Sequence, residues 1–208
     1  MAGSVITIAQ QKGGAGKTTL AAHLAVAMAQ SGRSVAIMDI DPQGSLTAWS
    51  QARGEAEPAI AGHQVTGWRA AGAVERLARD FDVVIVDSPP HAETEARIAV
   101  RAADLVLVPV QPSPMDFWAT KPTIALAAAE KTAVLVVLNR VPARARLADE
   151  ITDQMDELGA DLAGVRIGNR IALAAALMKG RGVTETDRRS IAAREIDALA
   201  AEIIGRLR

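Results

Sequence analysis

The chain has 208 residues, half of them hydrophobic, a formal net charge of −1 and no cysteine. That length suits one α/β domain with a well-buried core and is short for two. The charge balance excludes a binder that is polybasic over its whole surface, and the missing cysteines exclude a disulfide scaffold or a thiolate-held cluster. No apolar run reaches the roughly 18 residues of a membrane span, and Met1 to Ile6 lacks the marks of a secretory leader, so the cytosol is expected.

Short β-branched runs alternate with alanine-rich helical stretches along the chain. Strands are expected at Val5–Ala9, Ser34–Ile40, Val83–Asp87, Leu105–Val110 and Val134–Leu138, with a weaker one near Leu162–Ile167. Each is nearly all apolar, the pattern of parallel strands covered on both faces. Helices are expected at Thr18–Ser31, with Gly32 as its cap, and at Ala71–Arg79, Thr94–Ala102, Met115–Glu130 and Arg146–Leu158. Gln51–Gly67 reads as a loop with one edge strand. Asp187–Arg208 reads as a helix whose apolar face collects Ile191, Ile196, Leu199, Ile203 and Leu207. This succession of βα units predicts a single domain over residues 1–208: α/β, doubly wound, with a mostly parallel sheet, helices on both faces and ligand loops at the strands' C-terminal ends.

One such loop, Gln11 to Thr19, lies between the first strand and the first helix. Its glycines allow successive backbone N–H groups to turn onto phosphate oxygens, Lys17 adds a mobile positive charge, and the Thr18 hydroxyl suits Mg²⁺. A nucleoside triphosphate is the expected ligand. The strict phosphate-loop pattern would place glycine where Gln11 stands; here a second lysine, Lys12, precedes Gly13 and Gly14. A lysine at that point makes sense if it reaches a different phosphate site from that of Lys17.

Lys12-Gly13-Gly14-Ala15-Gly16-Lys17-Thr18-Thr19 resembles the deviant phosphate loop of the ParA/MinD family of P-loop ATPases. Two further segments match in order: Ser34–Gln43 resembles the family's second motif, and Phe81–Pro90 its Walker B strand and turn. The resemblance implies that Gln11 to Thr19 bind ATP and that Lys12 crosses a dimer interface to the partner's nucleotide. It further implies that Thr18, Asp39 and Asp87 serve Mg²⁺, and that Asp41 positions the attacking water, so that Lys12, Lys17 and Asp41 carry hydrolysis. Asn139 and Arg140 resemble the pair that contacts adenine, and Met115–Trp118 falls in a region that borders the dimer contact.

The same resemblance implies a short form without an N-terminal helix-turn-helix domain. Such a protein is monomeric with ADP and a homodimer with ATP, and binds non-specific double-stranded DNA on the nucleoid. A ParB-like or other small partner triggers slow hydrolysis, and the cargo is a plasmid, a chromosomal locus or a large protein assembly. Local charge is compatible with DNA contact: Ala160–Arg208 carries nine basic against six acidic residues, with Lys179, Arg181, Arg188, Arg189 and Arg194 as candidates, although a solvated mixed-charge surface is the default reading of any one of them. Two alternatives stay open. One is a MinD-like membrane switch, disfavoured by Glu195, Asp197 and Glu202 beside the tail's apolar face and by its lack of aromatics. The other is a P-loop metabolic ligase or kinase. His23, His63 and His91 show no metal-ligand spacing, and Trp49, Trp68 and Trp118 are scattered, which favours packing or a partner surface over base stacking.

Overall fold

The computed structural model describes residues 2–90, 93–143 and 159–207. In chain order the elements are β1 (Ser4–Ile8), α1 (Lys17–Gln30), β2 (Val35–Asp39), α2 (Ser45–Arg53), β3 (Ala61–Gln64), a 3₁₀ turn at Gly67–Arg69, α3 (Ala70–Asp80), β4 (Val83–Asp87) and α4 (Glu93–Arg101). They continue with β5 (Leu105–Val110), α5 (Pro114–Glu130), β6 (Ala133–Leu138), β7 (Asp161–Leu162), α6 (Ile171–Leu177), α7 (Val183–Thr186) and α8 (Ile191–Arg206). The seven strands form one sheet in the order β3-β2-β4-β1-β5-β6-β7, and every pairing is parallel.

Strand alternation sends the two faces to different layers. From β1, Ile6 and Ile8 join a core with α1, α2, α6, α7 and α8, while Val5 turns to α3 and α4; Ala9, just past the strand, packs with α4 and α5. Because both faces are covered, β2, β4 and β5 are buried at every residue. Register then aligns the ends: Ile8 and Asp39 each sit opposite Asp87. Two carboxylates and the start of the glycine loop therefore meet at one level of the sheet.

Helix α1 is buried on nearly all sides, from Leu20 to Ala29. It lies between the sheet and α8, whose Ile196, Leu199 and Ile203 are fully buried against this layer; an apolar stripe on one side would not suffice for such a position. His23 is the polar exception. Its Nδ1 accepts the Val183 N–H at 3.0 Å and its Nε2 donates to the Leu173 carbonyl at 3.2 Å, fastening α1 to α6 and α7.

The sequence expectations are met closely for β1, β2, β4, β5 and β6. Four differences have physical causes. Gln51–Arg53 belongs to α2, which buries only Leu46, Trp49 and Arg53 and so shows little periodicity; the expected edge strand of that segment is β3. Helix α6 is alanine-rich and buries only Leu173 and Ala176. The strand near Leu162–Ile167 shortens to β7, with a separate bridge from Val141 to Gly168. Ile191 is 52 % exposed rather than part of the tail's apolar face, because it is the first residue of α8, next to the Ser190 cap. The expected helix Arg146–Leu158 and His91 lie outside the described residues.

Burial drives the His23 pKa down to about 4, opposed by its bond to Leu173 and the charge of Glu185. The folded chain thus resists a proton that the unfolded chain accepts below about 6.5. Stability is full above that value and falls as pH drops toward 4. Between pH 7 and 5 this one group is expected to remove about 2 kcal/mol in urea unfolding, and His23→Gln should flatten the dependence; an equal slope in the variant would contradict it.

Candidate nucleotide site

The loop leaves β1 at Ala9 and enters α1 at Lys17. Gly14 and Gly16 hold φ of 79° and 96°, values that L side chains avoid. Gly16 carries a second constraint, since a Cβ there would run into the Asn139 amide nitrogen. That amide donates to the Ala15 carbonyl at 2.8 Å, and the Asn139 Oδ1 accepts the Arg140 N–H at 2.9 Å. Arg140 itself has φ 53°. On the outer side, Gln111 Nε2 donates to the Gly14 carbonyl at 3.0 Å. Residues from the ends of β5 and β6 thus brace the loop from one flank.

Its charged centre lies beneath. Lys17 is nearly buried and donates to the Gln10 carbonyl at 3.1 Å. Burial lowers its pKa, while the negative charges of Asp87 and Asp41 pull the other way. The Thr18 hydroxyl donates to Asp87 Oδ2 at 2.5 Å, and Asp87 Oδ1 is buried with no hydrogen-bond partner. Desolvation pushes the Asp87 pKa up to about 7; the Thr18 bond and Lys17 lower it, whereas Asp39 and Asp41 raise it further. A buried carboxylate oxygen without a donor is costly, and a cation would relieve it.

Mg²⁺ fits this donor set. Among the described residues no group of three or more His, Cys, Asp or Glu side chains could hold a metal. One hydroxyl and one carboxylate, completed by phosphate oxygens and water, is the arrangement a small hard cation accepts. Asp39 has both oxygens engaged: Oδ1 accepts the Asp41 N–H at 3.1 Å, and Oδ2 accepts the Thr47 N–H and hydroxyl at 2.8 and 3.1 Å. It therefore shapes the turn into α2. Asp41 spends Oδ1 on the Gln43 N–H at 2.9 Å and remains half-buried.

Lys12 faces away from this centre. Its ammonium meets Asp116 Oδ2 of α5 at 2.5 Å, with the lysine side chain 38 % exposed and the aspartate 3 %. Met115 and Trp118 flank that contact as exposed apolar side chains. The candidate DNA contacts lie in the C-terminal segment: Lys179, Arg188 and Arg189 are exposed, Arg181 pairs with Glu185 at 3.5 Å, and Arg194 donates to the Arg189 carbonyl at 2.8 Å. Asp116, Gln111 and Thr47 were not singled out from sequence. The Ser113-x-x-Asp116 spacing does read as a helix cap, but a cap does not reveal which lysine it will meet.

With this geometry in view, the match to the family of CobQ/CobB/MinD/ParA nucleotide binding domains, over residues 6–183, gives the class. The chain belongs to that family. It is 28 % identical over 207 residues to a maintenance of carboxysome distribution protein A from Halothiobacillus neapolitanus, covering 96 % of this chain and 95 % of the relative. It is 35 % identical over 130 residues to a protein ParA from Rhizobium radiobacter, covering 62 % and 59 %. The fold matches an ATP complex of a Cyanothece McdA variant with a TM-score of 0.80 at 20 % identity, covering 98 % and 96 %, and a Pyrococcus furiosus cell division ATPase MinD with 0.80 at 21 %, covering 98 % and 99 %.

Gly16→Ala is expected to weaken Mg²⁺–ATP binding at least tenfold in calorimetry, because it adds left-handed strain of about 1–2 kcal/mol and displaces Asn139 from the loop. Retained affinity would show that the loop does not need this conformation.

Proposed function

We propose that this chain is an ATP-dependent dimerisation switch that hydrolyses ATP slowly, binds DNA without sequence preference, and positions or partitions a cargo together with a partner protein. The observation that carries the reading is the pair of lysines on one loop. Lys17 is committed to the loop's own centre, while Lys12 is held apart from it by the enclosed carboxylate of Asp116, with its own side chain partly exposed. One bound triphosphate needs the first; the second gains a role when another copy presents its phosphates. Relatives named for carboxysome distribution and for ParA support the positioning class, and neighbours solved with ATP and with Mg-ADP support the ligand.

In this reading a Mg²⁺ ion bound with ATP would supply positive charge to the phosphates. Thr18 and Asp87 are the residues that would hold it, through the Thr18 hydroxyl and the Asp87 carboxylate, whose Oδ1 has no partner. Lys17 exchanges the Gln10 carbonyl for phosphate oxygens. Asp41, half-buried at the mouth and close enough to influence both Lys17 and Asp87, orients the attacking water. Asn139 and Arg140 are assigned to the adenine side, and Asn139 also sets the loop's floor. Met115 and Trp118 are assigned to the surface that two copies share. The apolar face of α8 is spent on α1, which weighs against a membrane anchor made from it, and no described helix is long and apolar enough to cross a membrane.

The test is size-exclusion chromatography with light scattering. The wild-type chain should become a dimer with ATP, and Lys12→Ala should bind nucleotide yet stay monomeric; an ATP dimer of full strength in the variant would contradict the cross-dimer role. DNA binding is expected to require ATP, since dimerisation doubles the phosphates engaged. Its affinity should fall with salt at a log–log slope of about −0.9 per phosphate neutralised. Replacing Arg188 and Arg189 by Glu should weaken binding to unrelated duplexes alike. Absence of any ATP-dependent binding at low salt would remove DNA from the reading.

A further inference from the structure

We infer that Asp116 is a positioning residue for Lys12: it holds the lysine within its own chain while no partner is present, and the opening of that contact sets the threshold for dimerisation. The inference rests on the switch reading and deepens it by naming what holds the monomer back.

Helix α5 begins with Ser113 as its cap, and the Asp116 N–H donates to the Ser113 hydroxyl at 3.2 Å. The same hydroxyl donates to Asp116 Oδ2 at 2.5 Å, so the carboxylate is fixed from beneath. Thr120, one turn on, donates to the Asp116 carbonyl at 2.8 Å and accepts from Gln10 Nε2 at 3.1 Å. The first turn of α5 is thereby tied to the residue just before the loop. Onto this fixed carboxylate Lys12 closes across 104 positions of sequence.

The asymmetry of burial decides the energetics. Asp116 is almost fully enclosed and its Oδ1 has no hydrogen-bond partner, whereas the Lys12 side chain is over a third exposed. Moving Lys12 to another copy's phosphates leaves an enclosed carboxylate supported by one hydroxyl, which costs more than opening a surface pair. Each dimer opens two such contacts, so their effect enters the association constant squared. Asp116→Asn keeps the shape and removes the charge that must be abandoned. A factor of about five per contact would become about 25 in the dimer constant.

The experiment measures the ATP dimer's dissociation constant by light scattering across protein concentration. In parallel, the rate at which Lys12 is acetylated in the nucleotide-free chain is followed by mass spectrometry. Asp116→Asn is expected to tighten the dimer by about 25-fold and to speed Lys12 acetylation several-fold, with the other lysines unchanged. Ser113→Ala should move both in the same direction by less, and it serves if Asp116→Asn does not fold. The acetylation rate separates holding the lysine from merely capping a helix. A dimer of equal or lower strength, or an unchanged Lys12 rate, would overturn the inference while leaving the switch intact. A wild-type chain that stays monomeric with ATP would remove the switch and the threshold together, and that result is distinct because it does not involve Asp116.

Discussion

The buried polar centre at the C-terminal ends of β1, β2 and β4 is the constraint on which the rest of the structure depends. Lys17, Asp39 and Asp87 are each enclosed there, and taking charge out of water is tolerated only with partners in place. Protein groups meet part of that need through Gln10, Thr18 and Thr47. Asp87 Oδ1 is left over. A centre built this way stores an unmet demand for positive charge and donors, which is what a bound cation with a phosphate chain would satisfy.

Holding such a centre requires a rigid frame. Parallel register brings Asp39 and Asp87 side by side, and the glycine loop is braced by Asn139 and Gln111 from the far side of β1. Helix α1, whose N-terminus faces the loop, is locked along its length between the sheet and the C-terminal helices. His23 ties α1 to α6 and α7, and Arg53 ties α2 to the same region through a two-bond pair with Glu185 at 3.0 Å. The C-terminal segment is therefore part of the frame as well as the candidate DNA surface. Its exposed basic residues Lys179, Arg188 and Arg189 sit on the turns that join helices packed against the loop's own helix.

Much of this was legible in sequence because the signals were local. An apolar run ending in Asp87, a glycine loop before a helix, and β-branched runs at regular spacing each carry their meaning within about ten residues. What was not legible depended on packing. Helix α2 announces itself by only three buried side chains. Asn139 was recognisable as a strand-end polar residue, but its bond to Ala15 follows from β6 lying two strands from β1. That Asp39 spends Oδ2 on Thr47 and so shapes the turn into α2 depends on a contact eight residues away that the motif does not announce. Asp116 and Lys12 met only through the docking of α5.

The central claim is that this unmet polar demand is the demand of Mg²⁺ with ATP. Thermal unfolding of the full chain at fixed pH, with and without ligand, tests it most directly. Mg²⁺–ATP should raise the Tm, with a stabilisation that grows with the logarithm of its concentration and reaches about 2.7 kcal/mol at a hundred times the Kd. Chelating the metal should remove most of the gain. A Tm that is the same with and without saturating Mg²⁺–ATP would contradict the account.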